Sequence, residues 1–297
     1  MIVVTTPTGR IGRQLITRLL EQDAAVRVIV RDAAQLGAET RARVEVVEGS
    51  HADGAVLDRA LVGADALFWL VPPNPAAPSA EQHYLDFARV GAAAIRRHGV
   101  GHVVAVTSAG HGWTAPAGVL SAAFAMDAEL RTSGAAYRAV SLPFYMENLL
   151  GQADAIGRTG TLSLTCAAGQ PLAMIATRDV ASHAAGLLTD LSWSGQQDEP
   201  VFSPDRLTPD EIVRVIGEEL GRPVAYRLVA LDDFATVLRA RGASEQAVTD
   251  TIDMFAAQDA GIYDEDWATA IIAPTDFRTW CRELLVPAVR AADLQRA

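Results

Sequence analysis

The opening of the chain constrains its fold most. An apolar run from Ile2 to Thr5 passes through Thr6-Pro7-Thr8-Gly9-Arg10-Ile11-Gly12 into a segment where Ile11, Leu15, Ile16, Leu19 and Leu20 recur at helical spacing, and a second apolar run covers Val26 to Val30. A strand, a glycine-bearing turn, a helix with one apolar stripe and another strand form a βαβ unit, which places the two strands parallel. Similar runs follow at Val44 to Val47, Ala66 to Val71, His102 to Thr107 and Tyr137 to Leu142, with helical stretches at Arg89 to Arg97 and Asp127 to Arg131. This alternation predicts an α/β fold with a doubly wound parallel sheet.

Beyond Pro143 the elements shorten. Leu162 to Thr165 reads as a strand and Arg178 to Thr189 as a helix. Thr208-Pro209-Asp210-Glu211 is a helix start with a capping box, ending near Gly221, and Leu231 to Ala240 and Glu245 to Ala257 read as two further helices. The expected organisation is a nucleotide-binding domain over residues 1–142 and a smaller α/β lobe over 143–297, interleaved with the first. No repeat and no Gly/Ser-rich linker interrupts the chain.

Composition enters where it excludes functions. Acidic residues number 36 against 25 basic ones, a net charge of -11, so binding to a phosphate backbone is not expected. All the basic residues are Arg, which removes any mechanism built on a lysine ammonium or Schiff base. Cys166 and Cys281 have neither disulfide-framework nor metal-like spacing, and His98 and His102 flank a helix-to-strand turn, so no metal is predicted. The start lacks a basic segment followed by an apolar one, and no run is long enough to span a membrane. A cytoplasmic protein beginning near Met1 is expected.

Chemistry begins at the first turn. Glycines there let backbone approach a pyrophosphate, and the helix N-terminus offers unpaired amides to the anion. Thr6 stands where a third glycine would ease the turn. The second strand ends in Arg31-Asp32, and the two compete: an acid there accepts from ribose hydroxyls, whereas an arginine accommodates a 2′-phosphate. With Arg10 approaching from the loop, the balance favours NADP (NADPH).

Together VVTTPTGRIG, VRVIVRD, VEVVEGSHAD, HVVAVTSAG, ELRTSG with AAYRAVSLPFYMENLL, and TRDVASHAAGLL resemble the NmrA-like atypical short-chain dehydrogenase/reductase family, close in layout to its triphenylmethane-dye and quinone reductases. The resemblance implies a Rossmann-type NAD(P)-binding domain with a smaller C-terminal substrate lobe. Position by position, it implies that Thr6, Thr8, Gly9, Arg10 and Ile11 cradle the pyrophosphate and Arg31 the 2′-phosphate. Ser50 and His51 would lie near adenine, and Val71 and Pro72 near the ribose. Thr107, Ser108 and the segment Pro143 to Glu147, with Tyr145 and Met146, would surround the nicotinamide. The chain departs from the family pattern at Thr6, at Ser50 (usually Asp) and at Ser141-Leu142-Pro143 (usually Arg-Pro-Gly).

The tyrosine–lysine pair of standard short-chain dehydrogenases cannot exist without lysine. The candidate acids are therefore His111 just past the fifth strand, Tyr145, and Ser108 at the strand end. Asp127 reads as a helix charge, and Phe255, Tyr263 and Trp267 as an aromatic lid or core. The expected function is NADPH-dependent reduction of a small aromatic, quinone-like or enone molecule. The alternatives are a non-catalytic NADP-sensing regulator and a non-redox enzyme on the same fold. The expected partner is a small molecule, with neither nucleic acid nor membrane, and a homodimer is left open.

Overall fold

A computed structural model describes residues 1–294. The main sheet is built from β1 (Ile2–Val4), β2 (Val26–Val30), β3 (Glu45–Glu48), β4 (Ala66–Trp69), β5 (His102–Ser108) and β6 (Ala136–Leu142), in spatial order 3-2-1-4-5-6 and parallel throughout. The helices of this region are α1 (Arg10–Glu21), α2 (Ala38–Arg43), α3 (Gly54–Ala60), α4 (Ala80–His98) and α5 (Val119–Arg131). Chain order reverses between β1 and β4, and a crevice opens there at the carboxyl ends of the strands, where open α/β sheets bind ligands.

Strand alternation sorts the core into two layers. Ile2 and Val4 of β1 face α1, which buries Leu15, Ile16 and Leu19. Val3, between them, faces the opposite layer with Leu57 of α3, Ile95 of α4 and Met126 of α5.

The C-terminal half supplies β7 (Phe144–Tyr145), α6 (Ala153–Thr159), β8 (Thr161–Leu164), β9 (Leu172–Ile175), α7 (Thr177–Thr189), β10 (Gln196–Phe202), β11 (Arg206–Leu207), α8 (Pro209–Leu220), β12 (Ala225–Leu228), α9 (Leu231–Ala240), α10 (Glu245–Asp259), β13 (Ile271–Ile272), α11 (Phe277–Trp280) and α12 (Val286–Leu294). The sheet takes strands from both sides of residue 142: β10 pairs with β6, β13 with β10, and α7 joins the layer of α1. A separate core around Met146, Ile156, Ile216 and Trp280 holds the smaller lobe. There β7, β9 and β11 form one small sheet, and β8 with β12 another. The capping box forms as expected: Thr208 accepts from the Glu211 amide, and the Glu211 carboxylate accepts from that of Thr208.

Candidate functional site

The switch-point crevice widens into a cleft of about 1140 Å³ that runs from the first turn to the smaller lobe. Two features of the turn shape its wall. Gly12 is required for close approach, since a Cβ there would lie 2.2 Å from the Thr6 carbonyl oxygen. Thr6 itself is held at φ 49°, the left-handed region that disfavours a β-branched residue. Thr6→Gly is therefore expected to raise the melting temperature by about 2 °C, the relieved strain slightly exceeding glycine's added chain entropy, while Thr6→Ala, which keeps a Cβ, gains less. Thermal unfolding of the three proteins without nucleotide checks this.

Helix α1 has Gly9 as its N-cap, with no side-chain cap and no acid in its first turn, so its leading amides remain available to an anion at the cleft. Thr6, Thr8, Gly9, Arg10, Ile11, Arg31, Ser50, His51, Val71, Pro72, Thr107, Ser108 and Tyr145 all line the cleft. Of the two competitors after β2, Arg31 lines it, whereas the Asp32 carboxylate is occupied as an N-cap, accepting from the Ala34 amide at 2.9 Å. Neither Arg10 nor Arg31 has an acidic side chain within ion-pair distance among the described residues. Three buried polar atoms on this wall lack a partner: the Thr6 and Thr107 hydroxyls and Nε2 of His51. Buried polar atoms are normally paired. Orphans at both ends of the cleft, free guanidiniums and uncapped amides therefore fit an elongated polyanion with a polar far end, as a nicotinamide dinucleotide is.

Two expected residues are placed elsewhere. The Met146 side chain is fully buried in the core of the smaller lobe and does not line the cleft. His111 also lies outside the lining: its Nε2 is 2.8 Å from Asp127, and Phe124 packs against the ring. Asp127 is no surface charge but 1% exposed, and it also accepts from the Tyr137 hydroxyl. Burial opposes charge on His111, yet the Asp127 hydrogen bond and the carboxylates of Asp127 and Asp198 raise its pKa. Asp127 thus anchors the imidazole away from the cleft. Trp267 also lies off the cleft, edge-on to Phe202 at 5.0 Å, whereas Phe255 and Tyr263 line it.

Sequence reasoning left out Tyr84 of α4 and Gln258 of α10, both in the lining. Tyr84 of α4, Tyr145 of β7 and Tyr263, which follows α10, come from separate segments, and Tyr145 lies near enough to the other two phenols to feel their charge. Burial pushes the Tyr84 phenol up to about 12 and raises Tyr145 and Tyr263 as well. The three therefore stay protonated and act as hydrogen-bond donors at neutral pH. Beneath them Glu147 is buried and accepts from the Thr177 amide, the Thr177 hydroxyl and the Trp280 indole, locking the smaller lobe to the start of α7.

Among the described residues no cluster of three or more His, Cys, Asp or Glu is placed to hold a metal, and no helix is long and apolar enough to cross a membrane. A sequence model of NAD(P)H-binding proteins matches residues 7–191. The chain is 32% identical over 254 residues to a (4-alkanoyl-5-oxo-2,5-dihydrofuran-3-yl)methyl phosphate reductase of Streptomyces griseus subsp. griseus, covering 81% of each. It is 28% identical over 256 residues to an NAD(P)H azoreductase of Xenophilus azovorans, covering 86% of each. Its fold matches a triphenylmethane reductase of Citrobacter sp., solved with NADP(H), at a TM-score of 0.77 and 22% identity, over 98% of this chain and 100% of that one.

Proposed function

The chain belongs to the NAD(P)H-binding family, and from that premise we propose that it is an NADPH-dependent reductase of a small, uncharged aromatic, quinone-like or enone molecule. The observation that carries this reading is the polarity of the cleft. Its cations, Arg10 and Arg31, lie at the nucleotide end, while the other end presents phenols, the apolar side chains Leu120, Met254 and Phe255, and the Glu147 carboxylate, with no cation.

In this reading Thr6, Thr8, Gly9, Arg10 and Ile11 hold the pyrophosphate, and Arg31 the 2′-phosphate. Ser50 and His51 border the adenine, and Val71 and Pro72 the ribose. Thr107, Ser108 and Tyr145 border the reactive end. A bound reduced nicotinamide supplies a hydride. The protein excludes water from the far end with Leu120, Met254 and Phe255, and it offers the Tyr145 hydroxyl, which has no hydrogen-bond partner among the described residues, to the substrate oxygen that gains charge. Tyr145 replaces the missing tyrosine–lysine pair without needing a depressed pKa, because it acts as a donor. Ser108 is committed elsewhere, donating to the Ala109 carbonyl at 2.8 Å, so it borders the site rather than supplying a proton.

The substrate named for the Streptomyces griseus relative carries a phosphate. An end without a cation and with a carboxylate disfavours such a group. Following NADPH oxidation with uncharged quinones and enones and with a phosphate-bearing furanone should show turnover of the uncharged set, and at least tenfold lower kcat/KM for the phosphate ester. Preference for the phosphate ester, or no oxidation with any acceptor, contradicts the proposal. The sensory alternative shares the nucleotide end of the cleft but gives the phenol-lined end no role, and the Streptomyces griseus and Xenophilus azovorans relatives carry reductase names.

A further inference from the structure

Tyr263 follows α10 and is only 8% exposed, with its ring in the cleft wall. Its hydroxyl oxygen accepts from the Gln258 side-chain amide at 3.0 Å. Ser108 is a second hydrogen-bond partner of the phenol, and its own proton is directed to the Ala109 carbonyl. The phenol is thus fixed through its acceptor side by Gln258, and its proton is left for the cleft or for the Ser108 oxygen. Tyr145 lies close enough for the two phenols to feel each other's charge, and its hydroxyl has no protein partner among the described residues. Two donors from separate segments thus share one end of the cleft, where the Glu147 carboxylate already accepts from Thr177 and Trp280 and takes a hydrogen bond from neither phenol.

We propose that Tyr263, braced by Gln258, is a catalytic residue that, with Tyr145, grips the substrate oxygen on which charge develops, and that it is the phenol that gives up its proton. This rests on the reductase reading above. As the substrate takes a hydride, with both electrons drawn from the reduced nicotinamide cofactor that is thereby oxidised, the oxygen becomes anionic. The Tyr263 O–H bond then breaks while an O–H bond forms on that oxygen. The phenolate left behind accepts from the Gln258 amide and regains a proton from water once the reduced product leaves. Tyr145 donates without transferring, since no protein donor stands behind it to hold a phenolate. Gln258 is a positioning residue.

Two measurements test this. Tyr263→Phe should lower kcat for an uncharged quinone about tenfold while leaving the NADPH dissociation constant, read by cofactor fluorescence, within twofold, because Tyr145 still donates. Without any turnover, 4-nitrophenol titrated into the NADP⁺-loaded protein should bind as the coloured phenolate, about tenfold less tightly in Tyr263→Phe and about threefold less tightly in Gln258→Leu. Gln258→Leu keeps the phenol and covers the case in which Tyr263→Phe fails to fold. Unchanged kcat in Tyr263→Phe, or binding of 4-nitrophenol in its neutral form, overturns the assignment. Absence of quinone reduction alongside phenolate binding that depends on Tyr263 removes the reductase reading but keeps the donor pair.

Discussion

Replacing Arg31 by alanine is expected to weaken NADPH about thirtyfold and NADH less than threefold, measured by fluorescence titration of the protein with each nucleotide. The figure corresponds to about 2 kcal/mol for a lost charge-assisted contact to a phosphate. Arg31 sits at the end of β2 in the cleft wall with no carboxylate to neutralise it, so its charge is at the disposal of a ligand. Its neighbour gives the control. The Asp32 carboxylate caps the short helical turn Ala33–Gln35, so Asp32→Ala should cost about 1 kcal/mol of stability and leave the preference between the nucleotides intact. Because the Arg31 contact is ionic and partly exposed, the gap between NADPH and NADH should also narrow as salt is added. Equal weakening of both nucleotides in Arg31→Ala would show that the arginine serves the pyrophosphate or nothing, and would return the choice to NAD.

The first half of the fold was legible because most of its elements repeat one physical pattern, a short apolar strand and then a helix with one apolar stripe, as in β1, α1 and β2. The resemblance drawn from the motifs named the family and layout that the comparisons then matched. What escaped were strands whose residues do not look like strands. Gln196–Phe202 begins Gln-Gln-Asp-Glu-Pro, and its first three residues are exposed. It belongs to the sheet only because β6 offers an unpaired edge, which is a tertiary fact. Ile271–Ile272 is two residues long and was hidden for the same reason. At the candidate site, the place of residues set by the local turn was readable, as for Thr6, Gly9, Arg10 and Arg31, which line the cleft. Direction of a side chain off a loop was not: Met146 follows Tyr145 in sequence but its side chain is in the lobe core, and His111 is drawn to Asp127, whose burial no local pattern announced. Tyr84 and Gln258 were missed because each lies on a helix that reaches the cleft from elsewhere in the chain.

Lowering the pH from 7 to 5 should cost the nucleotide-free protein about 2 kcal/mol more stability than it costs His51→Phe, with urea unfolding at the two pH values as the measurement. His51 is 7% exposed, edge-on to Trp69 at 5.1 Å and tilted on Phe87 at 4.6 Å, and its Nε2 has no partner. Burial is the chief cause that takes its pKa down to about 4; a hydrogen bond with the Leu70 backbone opposes the shift, and the nearby charges of His83 and Arg31 add to it. In the unfolded chain the imidazole titrates near 6.5. Between these values the unfolded state binds a proton that the native state refuses, so the stability His51 contributes is fully present above about 6.5 and is lost as pH falls toward 4, at about 1.4 kcal/mol per pH unit. Phenylalanine fills the same aromatic slot without a titrating group, and losses common to both proteins, from carboxylates elsewhere, cancel in the comparison. An equal pH dependence of the two proteins would mean that the ring is solvated or paired in solution. It could not then be the orphan donor or acceptor that this wall of the cleft holds out to a nucleotide, and the fit of the cleft to that ligand would rest on Thr6, Thr107 and the guanidiniums alone.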